Sequence, residues 1–344
     1  MVAELTVKGK SRRARALAGA PGPATTFGSL PVDSGAQEER APSGHFHKMI
    51  SYDPKNWIRI LLDFPRSPVF RTLAFDVLGA GAYAALVVWL ENDVWQIAIP
   101  LGPSFLSILG IILGLLLVFR TNTAYDRWWE GRRLWGQLVN VSRALAHSLD
   151  ALLTGASAAA GSKGSVPGGE GAVGGGTNER ERYAELLASF PAALARHLRL
   201  PRDGEPTHRP NAIARQLHRA VHEDVRCGVL PRECIIALTP MLATLDDVTG
   251  ACERIRNTPI PFSYSSYIKQ FFVLYALVLP FGMAREFGYG TIVASMFTFF
   301  ATMGLELLAT EIEEPFGSDR NDLPTDEIAA RIARDVRTLL LTEG

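Results

Sequence analysis

Cysteine, net charge and enzyme motifs are scarce in this sequence, and each shortage excludes a class of protein. Only three cysteines occur in 344 residues and none forms a CxxC pair, so the spacing indicates neither a disulfide framework nor a zinc ribbon. The formal net charge is zero, so the chain lacks the overall basic character of a nucleic-acid-binding protein. The sequence has no P-loop, GxSxG, HExxH or kinase motif, so we do not expect an enzyme.

Strand-like alternation is not sustained anywhere in the sequence, whereas long uncharged runs are prominent. A helix needs about 20 apolar residues to cross the hydrocarbon core of a bilayer. Four segments are candidate spans: residues 72–90, 97–119, 268–284 and 287–305. The second, IAIPLGPSFLSILGIILGLLLVF, contains no charge. The sequence therefore predicts an all-α protein whose four-span membrane bundle continues into a helical cytosolic region.

Basic residues indicate which side of the membrane each loop occupies. Arg66 and Arg71 precede the first candidate span, and Arg132 and Arg133 follow the second. The link between these spans contains the acidic sequence Glu-Asn-Asp at 91–93. Positive residues concentrate in cytoplasmic loops. Both termini and the long middle section are therefore expected inside, or on the stromal side of an organelle membrane.

Three segments lie outside this pattern. Residues 1–47 are basic and lack hydrophobic periodicity, which is typical of either a disordered tail or an organelle transit peptide. Residues 155–177 consist mostly of Gly, Ala and Ser and are predicted to be a flexible insertion. Residues 327–344 are expected to form a C-terminal helix or tail, which leaves 48–326 as the main domain.

The second candidate span carries two patterns. Gly110 and Gly114 form a GxxxG motif, which lets helices approach closely in lipid. Ile111, Leu115 and Phe119 occur at i, i+4 and i+8, so they lie within about 80° of one another on a helix. Such a stripe is either an ordinary packing face or an apolar constriction that gates ions by dewetting.

Carboxylates concentrate in the stretch EIEEPFGSDRNDLP, directly after the fourth candidate span. A proline and a glycine within it break the helix and favour a turn. Oxygen ligands grouped around a turn suit a hard cation. The candidate ligands are Glu311, Glu314, Asp319 and Asp322. The same acids also fit a solvated helix terminus without an ion.

Three long motifs resemble those of the bestrophin family of anion channels. They are FRTNTAYDRWWEGRRLWGQLVNVSRAL, CERIRNTPIPFSYSSY and EIEEPFGSDRNDLP, in the expected order. The likeness extends from about residue 51 to residue 326 and is strongest to the bacterial and plant-chloroplast members. It implies a homopentamer in the lipid bilayer, with four membrane helices per protomer and one central pore that conducts chloride or other small anions passively.

The resemblance also implies roles for individual residues. It puts a pore neck at Ile111, Leu115 and Phe119, where animal members carry an Ile-Phe-Phe type of neck, so Leu115 departs from them at the middle position. Arg120 and Arg127 are expected near the inner mouth, where basic side chains raise the local anion concentration or anchor the helix at the interface. A second, cytosolic constriction is expected near residues 233–236, with no single residue assigned.

Animal members of the family have a calcium clasp in the acidic stretch after the fourth span. In this sequence Arg320 and Asn321 interrupt the acidic run, and an arginine offsets the negative charge that a divalent ion needs. The resemblance to bacterial and plant-like members thus argues against calcium gating, and we expect no cofactor.

Other functions and two membranes fit the same residues. A cation-conducting channel of the family is one alternative, and a membrane transporter or scaffold is another. The sequence shows neither an internal repeat nor paired broken helices, which are typical of secondary transporters. The basic N-terminal tail favours a chloroplast thylakoid membrane, with a bacterial inner membrane as the alternative.

Overall fold

The computed structural model describes residues 68–95, 102–162, 175–200, 208–319 and 321–342. Within them lie α1 (Pro68–Trp89), α2 (Pro103–Ser162), α3 (Gly175–Arg199), α4 (Arg209–Cys227), α5 (Cys234–Asn257), α6 (Phe262–Phe287), α7 (Gly290–Glu313) and α8 (Thr325–Leu341). These residues contain no strand, so the all-α prediction is confirmed for them. The predicted tail, residues 1–47, lies outside the described residues.

Helix α2 connects the two halves of the protein. It is 60 residues long and therefore extends about 90 Å, roughly three times the thickness of the hydrocarbon core. No proline interrupts it after its first residue. The same helix thus carries the second candidate span and the amphipathic sequence that follows.

The helices pack in two groups that share α2. In the first group α1 packs mainly on α7, and the first part of α2 packs on α6 and α7. In the second group the later part of α2 packs on α5 and α8, while α3 packs on α8 and α4. A large apolar core fills the second group and includes Trp135, Leu145, Leu194 and Leu217.

Five described helices are long and apolar enough to cross a membrane, one more than the sequence predicted. Four of them contain or overlap the predicted spans, namely α1, α2, α6 and α7. The additional helix is α5. Its buried residues, among them Leu238, Leu242 and Leu245, belong to the apolar core shared with α3 and α4.

Short connections join the helices of each group. Between α1 and α2 the chain forms a π-helical turn, Leu90–Trp95, and the Tyr289 hydroxyl donates to Asp93 Oδ2 at 2.7 Å. Helix α4 ends at Gly228, whose φ of 78° is left-handed, and the Gly228 N–H donates to the Asp224 and Val225 carbonyls. Glycine adopts this conformation without the clash that a Cβ would cause.

The predicted bounds of the flexible insertion, 155–177, include helical residues at both ends. Helix α2 continues to Ser162 and α3 begins at Gly175. Alanines at 156 and 158–160 explain the first extension, because alanine has the highest helix propensity. Residues 163–174 lie outside the described residues.

Candidate pore-lining helix and its cytosolic mouth

The three predicted neck residues lie on one face of α2 that their own protomer leaves uncovered. Ile111 is 72% exposed, Leu115 is 54% exposed and Phe119 is 52% exposed. Large apolar side chains in this position need lipid, a neighbouring protomer or a pore around them.

An apolar arc about 120° wide surrounds these residues on the helix. Its members are all exposed: Ile108, Ile111, Ile112, Leu115, Val118 and Phe119. At about 100° per residue, Leu115 lies at the centre of the arc, and Val118 and Ile112 lie at its edges. The predicted neck therefore occupies the middle of the uncovered face.

The opposite face of α2 packs within the protomer. Leu113 and Leu117 are buried against Ile268 and Phe272 of α6. This contact sets the orientation of α2 about its own axis, because it turns the Leu115 face away from α6.

The two glycines of the GxxxG motif have different surroundings. A Cβ on Gly110 would lie 3.1 Å from the Tyr275 hydroxyl of α6, whereas a Cβ on Gly114 would meet nothing within 4 Å. A tighter contact between α2 and α6 lies at Gly282, where a Cβ would overlap the Leu106 side chain. Sequence reasoning missed Gly282, because it is not part of a small-xxx-small pattern.

Arg120 lies inside the protomer and is only 1% exposed. Its Nη2 donates to Glu313 Oε2 at 2.7 Å, and its Nε lies 3.6 Å from Glu306 Oε2. Both acids belong to α7, so these contacts join α7 to α2. The position of Arg120 near the inner mouth stays a prediction, but its charge is covered by protein, where a buried charge must be paired.

Arg127 fastens the ends of two other helices to α2. Its Nε donates to the Glu313 carbonyl at 3.0 Å, Nη1 to the Thr258 carbonyl at 2.5 Å and Nη2 to the Ile255 carbonyl at 2.7 Å. Carbonyls at helix C-termini lack partners within the helix, and the negative end of the helix dipole attracts a cation. Arg127 therefore acts here as a shared cap for α5 and α7.

The acidic stretch folds into a turn that docks on α2. Trp128 Nε1 donates to the Asn321 carbonyl at 3.0 Å, and Phe316 and Leu323 pack over Gly131 of α2. Asp322 is buried within this turn. Its Oδ2 accepts the Asp319 N–H at 2.6 Å.

Burial raises the pKa of Asp322, the Asp319 N–H lowers it, and the nearby charges of Asp319, Glu311 and Glu314 raise it, so that it lies at about 7. The structure does not bring the four predicted calcium ligands together. Within the described residues, the only convergent group of at least three His, Cys, Asp or Glu ligand atoms comprises His197, His208 and Glu253.

Below the neck, the same face of α2 becomes polar. Eighteen residues make five full turns at about 100° per residue, so Arg133 lies on the helix directly below Leu115. The exposed residues along this line are Asn122, Asp126, Trp129, Arg133 and Gln137. The face thus changes from apolar to hydrophilic where α2 leaves the candidate span.

Ile236 is a further exposed apolar residue, in the second group of helices. It lies in the first turn of α5 and is 80% exposed, within the range expected to hold the second constriction. The sequence alone did not distinguish it from its neighbours, because its exposure depends on how α5 packs.

A family model described as "Bacterial/Fungal Bestrophin protein" matches residues 49–338. A voltage-dependent anion channel-forming protein from Nostoc sp. (strain PCC 7120) is 32% identical over 310 residues, which cover 83% of this chain and 92% of that protein. Another protein of that description, from Ralstonia nicotianae, is 33% identical over 305 residues, with 83% and 92% covered.

The fold has a matching solved relative. A bacterial bestrophin homologue from Klebsiella pneumoniae superposes with a TM-score of 0.66 and 23% sequence identity, over 79% of this chain and 99% of that one. The family match, the relatives and the fold agree with the resemblance seen in the three sequence motifs. The chain belongs to the bestrophin family.

Proposed function

We propose that the protein is a homopentameric channel that conducts anions passively, chloride foremost, through a neck formed by Ile111, Leu115 and Phe119 of each protomer. The observation that carries the proposal is the position of these residues at the centre of the uncovered apolar arc. The relatives described as voltage-dependent anion channel-forming proteins support it.

In this proposal α1, the first part of α2, α6 and α7 are the four membrane spans. Helix α5 belongs to the cytosolic region, although its length and composition would allow it to cross a membrane. Its buried side packs in the core with the polar helices α3 and α4, and Asp246 and Asp247 on its other side are exposed. Two adjacent carboxylates facing lipid would be costly.

The neck controls conduction by excluding water or admitting it. A ring of Ile, Leu and Phe side chains offers ions no hydrogen-bond partners, so a narrow ring excludes water and a wider one admits it. The polar face from Asn122 to Gln137 then provides a hydrated path. Arg120 and Arg127 hold the helix in position through α7 and α5, and Ile236 is our candidate for the second constriction.

Recordings in planar bilayers test this function. Under a potassium chloride gradient, the reversal potential of the reconstituted protein is expected near the chloride equilibrium potential. Leu115→Ala removes the widest part of the central side chain and is expected to increase the current. Val118→Ala is the matched control, since Val118 is equally exposed on the same turn of α2 but lies at the edge of the arc.

Other results would favour the alternatives. A reversal potential near that of potassium indicates a cation-conducting channel. Flux that requires a proton or sodium gradient indicates a transporter, and an intact oligomer without flux indicates a scaffold. Equal currents for Leu115→Ala, Val118→Ala and the unmodified protein would contradict the neck assignment.

The oligomeric state is tested separately by light scattering of the detergent-solubilised protein. We expect a protein mass about five times that of the 37.5 kDa protomer.

The relatives described above are bacterial proteins and give no support to the predicted thylakoid location. We therefore propose a bacterial membrane, the alternative that the sequence left open.

A further inference from the structure

Three side chains from separate parts of the cytosolic region converge on one point. His197 lies in the last turn of α3, His208 directly precedes α4, and Glu253 lies in the last two turns of α5. Glu253 Oε1 is 2.8 Å from His197 Nε2 and 2.5 Å from His208 Nε2. The centres of the two imidazole rings are 4.2 Å apart.

The backbone around this group is well anchored. Arg256 donates through Nη1 to the His197 carbonyl at 2.9 Å and through Nη2 to the Leu200 carbonyl. The His208 ring caps α4, because its Nδ1 accepts the Asn211 N–H at 3.2 Å. Neither histidine therefore depends on the other for its position.

The donor atoms suit a transition metal. Two imidazole nitrogens and one carboxylate oxygen are a common ligand set for Zn²⁺, whereas Ca²⁺ and Mg²⁺ prefer oxygen ligands throughout. All three ligand atoms lie within 4.8 Å of one another. The group is partly buried, so a water molecule can reach a fourth position.

Two arginines close to these ligands in the sequence are paired with other acids. Arg199 pairs with Asp326 at 2.6 Å, and Arg254 pairs with Glu130 at 2.5 Å. Each acid attracts its guanidinium and offsets its charge.

Metal binding changes the protonation of the group. While Nδ1 of His208 caps α4, the neutral ring carries its proton on Nε2 and donates it to Glu253. A metal at Nε2 displaces that proton, and the ring then needs a proton on Nδ1 and loses the cap. The coordination bonds outweigh one capping hydrogen bond.

We propose that His197, His208 and Glu253 bind a divalent transition metal of the zinc class and thereby tie α3, α4 and α5 together. The site lies apart from the proposed neck and does not depend on ion conduction.

Calorimetric titration of the full-length, chelator-treated protein with zinc chloride tests the site. We expect His208→Asn and Glu253→Gln each to lower the zinc affinity at least tenfold, or to bind one zinc ion fewer per protomer. Asparagine is a good N-cap, and glutamine retains an oxygen that accepts from the histidines, so both variants are expected to fold.

The matched control is His218→Gln. His218 also faces an acid, with Nε2 at 3.7 Å from Asp246 Oδ2. It does not belong to the convergent group of three ligands. This variant is expected to bind zinc as the unmodified protein does. Magnesium chloride is expected not to compete.

Thermal unfolding gives a second measurement. Zinc is expected to raise the Tm of the unmodified protein and of His218→Gln, but not that of Glu253→Gln. No zinc binding by the unmodified protein, or equal zinc binding and equal Tm shifts in all variants, would overturn the proposal, whatever the bilayer recordings show.

Discussion

The core of the proposed cytosolic region and the proposed membrane bundle place the same apolar residue types in opposite surroundings. In the core, Trp135 and Leu145 are completely covered by neighbouring helices. In the bundle, Val293 and Phe297 of α7 are mostly exposed. Water drives apolar groups together in the first region, whereas lipid chains are as apolar as the side chains and remove that drive in the second.

One buried carboxylate in each region shows a second difference. In the core, Arg182 Nη2 lies 2.7 Å from each oxygen of Asp224, and the Tyr183 hydroxyl donates to the same carboxylate at 2.6 Å. Burial and the bond to Asp224 raise the pKa of Tyr183 well above its usual value. Both oxygens of this carboxylate therefore have partners.

In the bundle, the contact between Arg120 and Glu306 depends more on charge than on hydrogen bonds. Within the described residues, Arg120 Nε and Nη1 and both oxygens of Glu306 have no hydrogen-bond partner. We therefore expect the membrane side to be most sensitive to removal of a charge, and the cytosolic side to be most sensitive to removal of apolar volume.

The largest effect is expected from Arg120→Met. The change leaves the buried Glu306 and the partly exposed Glu313 without their cation. Removing one partner of a buried ion pair typically costs about 3–5 kcal/mol. Thermal unfolding of the detergent-solubilised protein measures the loss. Arg133→Met is the control, since Arg133 lies on the same helix but is exposed. Similar Tm values for the two variants would show that the buried pair contributes little.

A pair of apolar truncations compares the two regions directly. Leu145→Ala leaves a cavity in the cytosolic core and is expected to cost about 2–5 kcal/mol. Val293→Ala removes an exposed side chain of α7 and is expected to change stability by less than about 0.5 kcal/mol. The comparison fails if both truncations lower the Tm equally, and that result would indicate that a neighbouring protomer covers Val293.

Arg127→Lys tests the shared cap where the two regions meet. A lysine keeps the charge but cannot direct donors to three separate carbonyls, so a loss of about 2 kcal/mol is expected. Arg132→Lys, an exposed position on the same helix, is the control. If Arg127→Lys unfolds at the same temperature as Arg132→Lys, charge alone accounts for the role of Arg127.

The smallest effect concerns the pH dependence of the acidic turn. The pKa of Asp322 rises from 3.8 to about 7, so the folded state binds a proton that the unfolded state releases. This contribution to stability is full below about pH 4, declines as the pH rises towards 7 and is absent above it.

Asp322→Asn mimics the protonated form of this side chain. It is expected to flatten the decline in Tm and to stabilise the protein at pH 8 by on the order of 1 kcal/mol, less than full relief because the new amide needs partners. Glu327→Gln is the matched control, since Glu327 is exposed in the first turn of α8 and is not among the charges that raise the pKa of Asp322. An unchanged pH profile for Asp322→Asn would contradict the raised pKa.

The sequence by itself determined the helical class, the positions of the apolar helices and the face on which Ile111, Leu115 and Phe119 lie. These features depend on composition and on a period of 3.6 residues, which are local properties of the chain. The three motifs also determined the family, because they are long and occur in a fixed order. The prediction that residues 155–162 belong to a flexible insertion was wrong, since this Gly- and Ser-rich segment contains enough alanine to remain helical.

Only the tertiary structure decided which residues meet. Arg120 and Glu313 are 193 positions apart, and His197 and Glu253 are 56 apart, so no local pattern links either pair. Helix packing buries Arg120, whose position was expected near the inner mouth, and places Arg127 where it caps α5 and α7. It does not bring the four acids of the turn together. The charge of a residue can be read from the sequence, but its partner depends on how the helices pack.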